Sequence, residues 1–135
     1  MLFSVISVPS VEKVSVNGLK GLSFIDKTVE GVPTVTETND SLVLSSWTDR
    51  VYLNTPDTLT LDNMTKSGAG LVFNKTNLPD AVVWNPWEEK AAGMGDLGAE
   101  NWSGFICVEA GQCVTPVTLS PGELWSASHR LELKK

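Results

Sequence analysis

The sequence has one histidine and two cysteines among its 135 residues. A lone His129 excludes a multi-histidine metal centre. Together with Cys107 and Cys113 it falls short of a tetrahedral zinc site and lacks the usual close ligand spacing, so no metal is expected. Two cysteines are also too few for a disulfide scaffold. They are spaced symmetrically about Ala110, where a tight hairpin would set them opposite each other, and they are read as free thiols packed as small hydrophobes. Basic residues are scarce: 10 Lys and Arg stand against 16 Asp and Glu, a net charge of −6, and no basic cluster occurs. Nucleic acids and anionic membrane surfaces both demand a basic footprint, so neither is an expected partner. No apolar run approaches the roughly 20 residues of a spanning helix. Met1 to Ser10 lacks a positive n-region and a small-residue cleavage site. The expected location is the cytoplasm. No G-x-S-x-G, phosphate-cradling glycine loop or dinucleotide fingerprint is present, so those chemistries have no residues to carry them.

What is there reads as one folded domain over residues 1–135, with 41% hydrophobic and 19% charged residues. Val11 to Val16 alternates as a half-buried strand would. Asn17-Gly18 is the strongest short turn signal. Leu22 to Ile25, Ser41 to Trp47, Val51 to Asn54, Thr58 to Leu61 and Gly70 to Lys75 are further strand candidates, with Thr48-Asp49-Arg50 interrupting one run. Thr28 to Asp40 is loop with an edge strand at Thr34 to Thr38. Val114 to Leu119 and Glu123 to Leu133 follow, separated by a turn at Ser120-Pro121-Gly122. In the last run Trp125, Ala127, His129, Leu131 and Leu133 share one face. Eight or nine short, regularly spaced strands with almost no helix predict an antiparallel all-β sandwich.

The stretch from Ala81 to Gly111 holds three of the five tryptophans. Ala81 to Trp84 is a buried strand that stops at Asn85-Pro86. Pro86 suits the first turn of a short helix over Trp87 to Ala92, ended by Gly93. Phe105 to Val108 is a second buried run, closed by Glu109, after which Gly111 turns the chain. The carboxylates that could carry chemistry are Asp26, Asp49, Asp96 and Glu109. Asp26 follows an apolar run, Asp49 interrupts one and Glu109 ends one; strand ends are where a rigid scaffold aims side chains into a cleft. Spacing leaves the convergence of Asp49 with Glu109 open against the ordinary reading of solvated surface acids. His129 is read as a residue on the buried face of the terminal strand, bonded to backbone.

Several segments together resemble one family. They are Gly18-Leu19-Lys20-Gly21-Leu22-Ser23-Phe24-Ile25-Asp26-Lys27, Asp49-Arg50-Val51-Tyr52, Val82-Val83-Trp84-Asn85-Pro86-Trp87, Cys107-Val108-Glu109 and Leu119-Ser120-Pro121-Gly122. In order and spacing they are similar to the C-terminal half of the hexose-6-phosphate mutarotases (glucose-6-phosphate 1-epimerases) of the galactose-mutarotase-like superfamily. The resemblance implies the C-terminal portion of a larger antiparallel sandwich and an isomerase that interconverts the anomers of hexose 6-phosphates without a cofactor. It implies Glu109 as general base, Asp49 as a ligand of sugar hydroxyls, and Asn85 and Trp87 as residues that shape the substrate site. Asp26 carries no role beyond capping or packing.

The family's H-T-Y-F or H-S-Y-F motif has no histidine counterpart here; Met1-Leu2-Phe3-Ser4 stands in its place, and Phe3 matches its tail. The arginines that hold the sugar phosphate lie further upstream in the family and have no match. Mutarotation needs a base at the C1 hydroxyl and an acid at the ring oxygen, so the chain alone is expected to be impaired or inactive. The alternative is a non-catalytic remnant that binds carbohydrate weakly. A third reading, a carbohydrate-binding module, fits less well, because the tryptophans lie in motifs shared with the enzymes. Nothing in the sequence sets the oligomeric state.

Overall fold

The structure, a computed structural model, describes every residue except Phe3, Val32 and Lys135; the match at Phe3 therefore lies outside the described residues. Among the described residues eleven strands form two sheets in which every pairing is antiparallel. The first sheet runs β1 (Val5–Ser7), β10 (Phe105–Gly111), β9 (Asp80–Asn85), β6 (Thr48–Tyr52), β3 (Ser23–Asp26) and β4 (Val35–Thr36). The second runs β11 (Ser128–Leu133), β8 (Leu71–Thr76), β7 (Thr58–Asp62), β2 (Ser15–Asn17) and β5 (Ser41–Val43). The architecture is the antiparallel β-sandwich that the strand spacing predicts.

The core lies between the sheets. Phe73, Leu59 and Leu61 reach it from one side, and Val83, Ile106, Val108 and Ala110 from the other, each with 1% exposure or less. Burying a side chain of this kind contributes about 1.5–3 kcal/mol for the larger ones. Alternation along β10 sends Ile106, Val108 and Ala110 inward and leaves Phe105, Cys107 and Glu109 on the outer face.

Several expectations need correction. Val11–Lys13 is a turn of 3-10 helix, and only Ser15–Asn17 is strand. Val11 and Val14 are both fully buried, and three residues per turn puts these two on one side; the spacing is i, i+3 rather than alternation. Thr48-Asp49-Arg50 opens β6 instead of interrupting a strand. Two of its polar side chains have partners: Thr48 Oγ1 donates to Ser46 O at 2.9 Å, and Arg50 lies 3.2 Å from buried Glu37 and over the Phe24 ring. Gly111 is the last residue of β10, so no hairpin forms at Ala110. Cys107 is buried and Cys113 exposed, both free. Val114 to Leu119 contains no strand and is exposed; Pro116 removes a ladder donor within it. The last strand begins only at Ser128.

Other expectations stand. Helix α1 spans Trp87–Ala91 directly after Pro86. A turn closes at Gly122 (φ +88°), with the Glu123 N–H donating to Ser120 O at 3.0 Å. Gly18 has φ +96°, and the turn it makes carries the chain from β2 in one sheet to β3 in the other.

Candidate active site

The outer face of the first sheet holds two of the candidate carboxylates, Asp49 and Glu109. Across its strands Glu109 pairs with Val82 and Val82 with Val51, while Cys107 pairs with Trp84 and Trp84 with Asp49. Strand alternation therefore places Glu109 and Asp49 on one face, two strands apart across the sheet and two residues apart along it. Strand spacing sets their Cα atoms roughly 12 Å apart, with both side chains rising toward the gap above Val82 and Trp84. A hollow of about 470 Å³ lies over Ile25, Val51 and Val82, with Lys27, Gln112 and Cys113 at its rim. A second of about 510 Å³ is lined by Trp84, Phe105, Cys107, Asp96, Met94 and Leu97 among others. Glu109 and Asp49 belong to the two side-chain rows that run into these hollows.

Glu109 is only 8% exposed. Burial pushes its carboxyl above the usual range, and the charge of Asp49 pushes it further the same way. Asp49 is half-buried. Trp84 stands beside it, tilted against Phe105 with ring centroids 5.9 Å apart. Trp84 and Phe105 supply an apolar wall. Their signal in the sequence is the two-residue step from Val82 to Trp84, and from Phe105 through Cys107 to Glu109. The sequence places both in buried runs and assigns neither a role at the site.

Asn85 faces the other way. It is fully buried, and its Nδ2 donates to Trp102 O at 2.8 Å and Phe105 O at 2.9 Å. Its Oδ1 accepts from the Trp87 N–H at 2.9 Å. Asn85 thus ties the end of β9 to α1 and to the 3-10 turn over Asn101–Gly104. Trp87 has φ +58°, a left-handed conformation costly for a bulky residue by about 1–3 kcal/mol; the bond to Asn85 helps hold it. The Trp87 ring packs against Trp102, with centroids 4.5 Å apart. It also borders a shallow hollow with Thr28, Trp47 and Glu89.

The remaining candidates lie elsewhere. Asp26 closes a local turn, accepting from the Thr28 N–H at 2.9 Å and the Thr28 hydroxyl at 2.6 Å. Asp96 is exposed and lines the second hollow. His129 sits between the sheets on the far side of β10 from Glu109. Its Nδ1 lies 3.4 Å from Ser4 Oγ, and its ring meets Phe73 edge-on at 5.8 Å. The partner is a side chain, not the backbone expected for it. Among the described residues no cluster of three or more His, Cys, Asp or Glu could hold a metal ion. No helix among them is long and apolar enough to cross a membrane.

The two-sheet antiparallel sandwich agrees with the comparisons with known proteins. The family model described as "Aldose 1-epimerase" matches residues 5–132, and the chain belongs to the aldose 1-epimerase family. More particularly, the chain is 37% identical over 118 residues to a protein of Cenchrus ciliaris described as "Putative glucose-6-phosphate 1-epimerase", covering 87% of this chain and 35% of that protein. A protein of Escherichia coli K12 with the same description is 33% identical over 108 residues, covering 80% of this chain and 36% of its own length. The crystal structure of a "putative mutarotase (YeaD)" from Salmonella typhimurium superposes with a TM-score of 0.72 at 28% identity, covering 81% of this chain and 36% of that one. The chain spans little more than a third of the length of the relatives it matches.

Proposed function

We propose that this chain carries the base half of a 1-epimerase acting on hexose 6-phosphates. Glu109 takes the proton from the C1 hydroxyl of the pyranose while an acid protonates the ring oxygen. The bond between C1 and the ring oxygen breaks to give the open-chain aldehyde, which turns about its C1–C2 bond. The reverse proton transfers close the ring as the other anomer. A carboxylate held in a desolvated position beside another negative charge is a stronger base near neutrality than a free one. That observation, the burial of Glu109 on the open sheet face with Asp49 across the gap, carries the reading. Asp49 accepts from sugar hydroxyls, and the indole of Trp84 faces the C–H surface of the ring. Asn85 and Trp87 shape the site from below and from its end, through the turn they hold. Residues 1–135 act as one unit, a partial domain of the family fold, and no cofactor enters this scheme.

Among the described residues no histidine stands at the gap to serve as the acid. His129 is the single histidine, and β10 separates it from Glu109. General acid catalysis contributes about 10²–10⁴-fold, so the chain by itself is expected to leave the anomer exchange rate of glucose 6-phosphate at the buffer value. NMR exchange spectroscopy reads this directly, and a clear acceleration by pure chain would overturn the absence of an acid. Joining the chain to the part of the E. coli relative outside the match tests the base. Glu109→Gln in that chimera should abolish its activity with folding retained. An unchanged rate would remove Glu109 from the mechanism.

A further inference from the structure

Asp80 opens β9 and is buried. Alternation puts it on the outer face with Val82 and Trp84, beside the row that holds Glu109. Its carboxylate accepts from three backbone N–H groups. Asn54, just after β6, donates to Oδ1 at 3.2 Å. Cys113 and Val114 donate to Oδ2 at 2.8 and 3.4 Å. The buried ammonium of Lys75 adds an opposite charge nearby. Bonds to a charged group contribute about 1.5–3 kcal/mol each, so this carboxylate holds firmly to what it touches.

What it holds is the chain leaving β10. Asp80 pairs across the ladder with Gly111, which lies two residues beyond Glu109 on the same face. The Cys113 sulfur occupies the place where a Cβ on Gly111 would stand. The chain therefore folds back over the outer face directly after β10. Gln112, Cys113 and Val114 then line the hollow over Val51 and Val82, and Cys113 lies close enough to Glu109 for their charges to act on each other.

We infer that Asp80 is a positioning residue for the base: it fixes Gln112 to Val114 against the outer face, where they shut water away from one side of Glu109. The inference rests on the reading of Glu109 as the base. The charged and titratable groups that face Glu109 are Asp49 from β6, Asp80 from β9, Cys107 from its own strand, Cys113 and Lys27 at the rim of the hollow, and the amino group of Met1. Strand β1, on the other side of β10, carries no titratable side chain. Releasing residues 112–114 admits water beside Glu109 and makes its carboxyl easier to ionise.

NMR titration of the 13C-labelled Glu109 carboxyl, with hydrogen exchange at the Cys113 and Val114 amides, tests this in the chain itself. In Asp80→Ala both amides should exchange about tenfold faster or more, and the Glu109 midpoint should fall toward its unfolded value. Asp80→Asn keeps an oxygen for the two N–H groups, so it should retain most of the parent's midpoint and protection. Asp80→Ser, whose hydroxyl falls short of residues 113 and 114, should behave as the Ala variant does and replaces it if that variant fails to fold. A midpoint that stays at the parent's value in the Ala or Ser variant would overturn the inference. So would an Asn variant that falls as far as Ala, because the effect would then come from the charge of Asp80 and not from the wall it holds. The titration reads the surroundings of Glu109 and not turnover, so its outcome is separate from that of Glu109→Gln in the chimera.

Discussion

Replacing Asn85 with Ala should be among the most damaging single changes in the chain. The side chain is fully buried and makes three hydrogen bonds, at 2.8, 2.9 and 2.9 Å. Its removal leaves two carbonyls, of Trp102 and Phe105, and the N–H of Trp87 without these partners. A buried polar group left unsatisfied costs about 1–3 kcal/mol, so three give at most about 9. Trp87, Trp102 and Phe105 are all half-buried, and water can reach part of this region. We therefore expect about 4 kcal/mol, against a total stability of about 5–15 for a small domain. Urea unfolding followed by tryptophan fluorescence should show a midpoint lower by about 2 M for a slope near 2 kcal/mol/M. Hydrogen exchange should quicken over residues 86–104 before it does in β9. Asn85→Asp is the companion variant: it keeps an acceptor for the Trp87 N–H but, when ionised, loses both donors. Its deficit should shrink at low pH, where a protonated carboxyl donates once. A loss below about 1 kcal/mol for Asn85→Ala would refute the idea that this side chain pins the turn beside the site.

The other predictions concern charge and thiols. Glu109 has a raised carboxyl, so its share of stability is full below the unfolded value near 4.5 and is lost as pH rises through the folded value. Glu109→Gln should thus match or exceed the parent in thermal stability at pH 7, and the advantage should vanish toward pH 4; a Gln variant that is less stable at pH 7 would contradict the burial argument. Glu37 is the opposite case. Burial works against its charge, but bonds from Asn39 and Tyr52 together with Arg50 prevail and lower its carboxyl. Its contribution is present above pH 4.5 and lost as pH falls through the folded value, so Glu37→Gln should flatten the acid limb of the stability profile. In native chain at pH 8 a thiol reagent should modify Cys113 and spare Cys107, whose thiol is buried and pushed up to about 12; equal reactivity would mean the outer sheet face opens freely.

Much of the fold was legible because β9 and β10 are apolar runs bounded by polar stops, and length alone then favours strands. Glu109 was legible for the same reason, as the carboxylate that ends a buried run. The role of Asn85 was not, because its partners come from a turn 17 and 20 residues away. Glu37 passed as part of a loop rich in Thr and Glu. What buries it to 3% is Tyr52 and Arg50, contributed by another strand. Lys75 is a similar case: its ammonium is wholly buried and donates to Thr55 O and Leu78 O, and burial lowers its pKa. Val114 to Leu119 failed in the other direction, since an apolar alternation without a neighbour to pair with makes no strand.

The alternation along β10 also constrains how this family can vary in length. Inserting or deleting one residue between Gly104 and Val108 would exchange the two faces of the strand beyond that point. Glu109 would then point between the sheets, and an apolar residue would stand over the gap. An unpaired charge in that core costs several kcal/mol, so such a chain would lose its fold and its proposed base together. Length changes should therefore collect in the connection from Gly93 to Glu100, where most residues are exposed, and β10 should tolerate no indels at all.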